Sequence, residues 1–166
     1  MSEVKGRAVA VLGAAKSGIA AANLLARRGA GRVVLSDLRD LDGPELDALS
    51  KEVELVTGRN DIDGADLVVT SPGVPPHAPP LVQAVERGVP VWSEPELAFR
   101  LMPDHVRLLA ITGTDGKSTV TTMVAHIERA ARGPRRPVWE GGNLGTPFCQ
   151  AVLDGALDRP EARAVV

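Results

Sequence analysis

Val106-Arg107-Leu108-Leu109-Ala110-Ile111-Thr112-Gly113-Thr114-Asp115-Gly116-Lys117-Ser118-Thr119 decides how this chain is read. Residues 106–111 form a near-continuous apolar run, the signature of a buried strand. A loop that holds a triphosphate must present several backbone N–H groups, a lysine for the β- and γ-phosphates, and a hydroxyl for Mg²⁺. Gly113 and Gly116 supply the unhindered backbone, Lys117 the cation, and Ser118 or Thr119 the hydroxyl; Thr114 and Asp115 complete the loop. The spacing departs from the common G-x-x-x-x-G-K loop, because Ile111 stands where that pattern requires glycine. The bland alternative is a Gly-Lys-Ser-Thr cap that merely opens a helix. Residues 117–131 then read as that helix, with Val120, Met123, Val124, Ile127 and Ala131 on one apolar face. A strand in front and an amphipathic helix behind favour a phosphate loop, where the helix N-terminus attracts an anion.

Upstream, the same strand–turn–helix pattern occurs once more. Residues 7–12 (RAVAVL) are a compact apolar run, Gly13-Ala14-Ala15-Lys16-Ser17-Gly18 is a turn, and residues 17–28 are an Ala/Leu-rich helix stopped by Gly29 and Gly31. Further strands are expected at 32–36, 53–56, 67–70 and 89–92, with helices at 44–50, 79–87 and 95–101. This alternation implies parallel pairing through right-handed crossovers, hence a doubly wound α/β sheet. Met102-Pro103-Asp104 reads as a joint, dividing 1–102 from 103–166. Beyond the second helix, a strand at 137–140, a glycine turn at 141–145, a helix at 147–153 and a strand at 162–166 complete the pattern.

The first turn differs from the dinucleotide fingerprint G-x-G-x-x-G, because Ala15 occupies the middle glycine. Asp37 closes the second strand where a dinucleotide enzyme holds a ribose hydroxyl. An NAD-binding oxidoreductase, a ligand-free tight turn and a diphosphate site formed by Ser17, Gly18 and the helix N-terminus all remain open here.

The bulk properties exclude several classes. Nineteen basic against 21 acidic residues give a net charge of -2, which argues against a dedicated nucleic-acid binder. A single cysteine, Cys149, excludes an intrachain disulfide and a thiolate zinc cluster. The absence of a signal-like start or a long apolar run points to a cytoplasmic protein without a membrane partner. His77, His105 and His126 share no metal-ligand spacing and read as surface residues; Cys149 reads as a core side chain.

The string from Ala110 to Thr119 resembles the ATP loop of the Mur ligases. Ser71-Pro72-Gly73-Val74, the segment Val89-Pro90-Val91, and Gly141-Gly142-Asn143-Leu144-Gly145 resemble stretches of the D-glutamate-adding member, in the same order. The resemblance covers nearly the whole chain. It implies a Rossmann-like N-terminal domain that binds a UDP-sugar without NAD, followed by the first part of a phosphate-loop ATPase domain. Ser17 and Gly18 would meet the diphosphate, Asp37, Leu38 and Arg39 the uracil, with Ser71 nearby, and Asn143 would reach towards the sugar. ATP would bind at residues 113–119, with Lys117 catalytic and Ser118 or Thr119 on Mg²⁺. The implied reaction is ATP-driven addition of D-glutamate to UDP-N-acetylmuramoyl-L-alanine in peptidoglycan precursor synthesis, by a monomeric enzyme; another Mur-type amide ligase is the alternative.

Two residues depart from the family pattern. Asp115 replaces an asparagine and serves either as a turn residue or as a group leaning towards Mg²⁺. Leu38 replaces a small hydroxyl residue, exchanging a polar uracil contact for packing. The chain reads as the N-terminal part of a longer enzyme, inactive as a ligase alone. The family's acidic Mg²⁺ ligand would follow Val166, and its D-glutamate domain would lie further on.

Overall fold

The computed structural model describes residues 3–41, 43–142 and 145–166. Its first half alternates β1 (Ala8–Leu12), α1 (Lys16–Arg27), β2 (Arg32–Ser36), a 3₁₀ turn at Pro44–Ala48, β3 (Glu54–Val56), β4 (Leu67–Thr70), α2 (Pro79–Glu86), β5 (Val91–Ser93) and α3 (Glu94–Leu101). The strands form one parallel sheet in the order β3-β2-β1-β4-β5. Because strand side chains alternate, Val9, Val11, Val33, Leu35, Leu67 and Val69 face the α1/α3 side. Ala10, Leu12 and Val68 face α2 and pack with Leu81 and Ala84. Both faces are covered, which is why these strands read as unbroken apolar runs.

The second half comprises β6 (Arg107–Leu109), α4 (Lys117–Arg132), β7 (Val138–Glu140), α5 (Phe148–Leu153) and β8 (Arg163–Val165). These strands form a parallel sheet in the order β6-β8-β7. The α/β class and the expected sequence of elements are therefore present. Ends shift by at most two residues, and the expected helix at 44–50 is a tighter 3₁₀ turn.

Two features depart from the sequence pattern. The α4 stripe reads as one apolar face, yet Val120, Met123 and Ile127 are 44–62% exposed. Thr121 and Ala125 are buried instead, because α4 leans on β7 and β8 with the small-residue side of the helix. The second feature is α5, which packs against α1 and α3 of the first half. One apolar cluster runs from Val11, Leu25 and Leu97 through Phe148, Cys149 and Val152 to Leu157 and Ala164. Two sheets lie on either side of Met102-Pro103, but the core is continuous across the joint.

Candidate functional site

In the first sheet the strand order reverses direction between β1 and β4, so their carboxyl ends open a crevice, the usual ligand position in such sheets. Gly13 leaves β1 and donates its N–H to the Ser36 carbonyl at 2.7 Å. Ser71, at the end of β4, donates its hydroxyl to the Gly13 carbonyl at 3.0 Å. Gly18 lies behind this turn: a Cβ there would stand 1.8 Å from the Gly13 oxygen and 3.0 Å from Ser71 Oγ. No larger residue fits while α1 keeps this approach.

Asp37 ties the turn to β2. Its Oδ2 accepts the Ala14 amide at 2.8 Å and an Arg39 guanidinium N–H at 3.0 Å; Oδ1 accepts the Arg39 amide at 2.9 Å and Nε at 3.0 Å. The Arg39 side chain in particular holds the carboxyl at about 2, against the opposing effect of burial. Four bonds occupy the acceptor positions of the carboxylate. Reading a ribose diol in the dinucleotide manner would require breaking some of them. Ser17, Asp37, Leu38, Arg39 and Ser71 all line the crevice, a cavity of about 480 Å³, together with Asn60 and residues 72–75. Gly18 is buried behind it. Lys16 is exposed and outside the lining.

The second loop follows β6. Gly116, the residue before α4, has φ +74°, a left-handed conformation that favours glycine. Lys117 arches over its own loop, donating from Nζ to the Gly113 and Thr114 carbonyls at 2.5 and 2.9 Å. Residues 112–120 are exposed. The N-terminal end of α4 has no side-chain cap, which leaves its first-turn amides without a side-chain acceptor at Gly116.

The two loops meet. A cleft of about 160 Å³ lies between the halves, bordered by Ser17, Pro72 and Glu94 on one side and by Lys117, Ser118 and Thr121 on the other. Ser17 borders both crevice and cleft. Ser118 borders the cleft, whereas Thr114, Asp115 and Thr119 do not. Asn143 lies outside the described residues.

Sequence reading missed Glu94, Thr121 and Asn60. The helix expected at 95–101 starts at Glu94, where Ser93 Oγ accepts the Glu96 amide at 3.3 Å. Of the histidines, His77 and His126 are exposed as expected. His105, also exposed, sets Nε2 at 3.1 and 3.0 Å from the Leu157 and Arg159 carbonyls. Cys149 is buried, and burial pushes its thiol well above the usual range. Among the described residues no group of three His, Cys, Asp or Glu side chains is arranged to hold a metal.

The fold and these loops define a two-sheet α/β protein in which Lys117 and Ser118, at the start of α4, share a cleft with Ser17 of the first turn. Residues 7–93 match the family described as Mur ligase MurD-like, N-terminal domain, and the chain belongs to that family. The UDP-N-acetylmuramoylalanine--D-glutamate ligase of Anaeromyxobacter dehalogenans is 47% identical, with 99% of this chain and 35% of that protein covered. The enzyme of the same name from Pelodictyon phaeoclathratiforme is 42% identical over 92% of this chain and 33% of that protein. The chain thus spans about a third of the length of these curated relatives. Among solved structures, a pseudomurein peptide ligase type C from Methanothermus fervidus shares the fold, with a TM-score of 0.51, 19% identity and 96% of this chain and 32% of that one covered.

Proposed function

We propose that this chain supplies the nucleotide-sugar crevice and the ATP loop of a ligase that joins D-glutamate to UDP-N-acetylmuramoyl-L-alanine in the cytoplasm. The observation that supports this reading is that Ser17 borders both the crevice and the cleft lined by Lys117 and Ser118. A carboxylate tethered to a diphosphate in the crevice is thereby directed at the loop that would hold the γ-phosphate.

In this reading Ser17, Ser71 and the first-turn amides of α1 grip the diphosphate, and Leu38, Arg39 and Asn60 enclose the base. The alanine carboxylate attacks the γ-phosphorus; the new O–P bond forms as the bond to the β-phosphate oxygen breaks, and ADP leaves. The amine of D-glutamate then attacks the acyl carbon. A C–N bond forms, the C–O bond to phosphate breaks, and the amine releases a proton. Lys117 balances charge on the transferring group, which is the main contribution a protein makes to phosphoryl transfer. Ser118 Oγ, on the cleft beside Lys117, suits Mg²⁺ as one protein ligand, and such an ion would supply further charge neutralisation when bound.

Calorimetric titration with UDP-N-acetylmuramoyl-L-alanine, with a non-hydrolysable ATP analogue and with NADH tests the reading. Binding of the first two and silence towards NADH are expected; NADH binding without a response to the UDP-sugar would overturn it.

A further inference from the structure

Glu94 is a carboxylate only 2% exposed, at the first position of α3. Its Oε1 accepts the Cys149 amide at 2.6 Å, and the Phe148 amide acts in the same sense. These amides open α5, whose preceding residue, Pro147, offers no side-chain cap. At the other end of α5, Arg27 of α1 donates to the Leu153 carbonyl at 2.7 Å. The first half therefore holds this helix with an anion at its N-terminus and a cation at its C-terminus, as the helix dipole prefers. Phe148 stacks on Trp139 at 5.5 Å. Just before α5, the Gly142 amide donates to the Thr146 carbonyl at 2.8 Å.

We propose that Glu94 is a positioning residue: by clamping α5 it fixes Gly141, Gly142 and the Lys117 side of the cleft against Ser17 and Pro72 of the first half. The proposal rests on the functional reading above and assigns the alignment of its two nucleotide sites to one side chain. Burial raises the carboxyl above its ordinary range, while the donated amides favour its ionised form. The Cys149 thiol also favours the ionised carboxyl. The Cys149 thiol donates to the Glu94 carbonyl oxygen at 3.4 Å. Lys117 of α4 directs its ammonium at Gly113 and Thr114, and Arg28 of α1 binds the Leu101 carbonyl at the far end of α3.

The test combines amide exchange without ligand and calorimetry with both ligands. Glu94→Ala is expected to speed exchange at Phe148 and Cys149 roughly 10- to 100-fold, since hydrogen bonds to a charged group are lost. Amides of β1 and β4 should not change. In wild type, a bound ATP analogue should strengthen binding of UDP-N-acetylmuramoyl-L-alanine about tenfold, and this coupling should vanish in Glu94→Ala. Glu94→Gln, a neutral near-isostere, serves if the alanine variant does not fold. After correction for intrinsic exchange, protection at Cys149 should rise with pH in wild type and stay flat in Glu94→Gln. Unchanged protection in both variants, or coupling that survives them, overturns the proposal. Failure of wild type to bind either ligand overturns the functional reading and the positioning role with it, and is told apart because exchange is read without ligand.

Discussion

Replacing Gly18 with alanine is the sharpest test of the first turn. The added Cβ would meet the Gly13 carbonyl oxygen at 1.8 Å, so the turn or α1 must move by more than an ångström. That carbonyl is not loose, because Ser71 Oγ holds it at 3.0 Å and the adjoining Gly13 amide is bound to Ser36 at 2.7 Å. Forced overpacking costs about 1–3 kcal/mol, and loss of the Ser71 bond adds about 1 kcal/mol. The better helix propensity of alanine offsets about 1 kcal/mol. A net loss of about 2 kcal/mol corresponds to about 4–8 °C in Tm for a chain of this size. Circular dichroism melts of Gly18→Ala and Gly73→Ala make the comparison. Gly73 also borders the crevice, but a Cβ there meets nothing within 4 Å and needs no unusual φ. Its variant should melt with wild type, within about 2 °C. A Gly18→Ala protein that melts alongside Gly73→Ala would refute the close-approach reasoning.

Two further outcomes are expected. Lys117→Ala should weaken binding of the ATP analogue at least about tenfold, through loss of a charge-assisted contact, and leave UDP affinity unchanged; calorimetry showing equal loss of both would contradict the separation of the two loops. Asp37 is held at about 2, mainly by the Arg39 side chain, so its contribution is present above the ordinary carboxylate range and is lost as pH falls from about 4 towards 2. That contribution is about 2 kcal/mol, and acid titration of Asp37→Asn should show a correspondingly shallower loss of stability than wild type.

Much of the architecture was legible because it is local. Residues 32–36 and 67–70 read as strands with the bounds they have, since runs buried on both faces carry no polar interruption. The start of α4 at Lys117 was legible because the glycine before it is a short-range signal, and Lys117 and Ser118 border the cleft. The α4 stripe shows the limit. Its periodicity defines an apolar face correctly, but periodicity does not say what that face meets, and Thr121 and Ala125 contact the sheet while Met123 and Ile127 lie outward. Glu94 was illegible for a different reason: its partner is 55 residues away, and nothing local separates a buried carboxylate from an ordinary acid in a helix's first turn.

The continuity of the core across Met102-Pro103 bears on how the chain can be dissected. A polypeptide ending at residue 102 would retain every strand of the first sheet, yet α1 and α3 would lose the cover of Phe148, Cys149 and Val152. Bare Leu25 and Leu97 would then form an adhesive strip on a soluble fragment. The unit suited to independent expression is thus set by α5, which the first sheet borrows from sequence well beyond its own last helix.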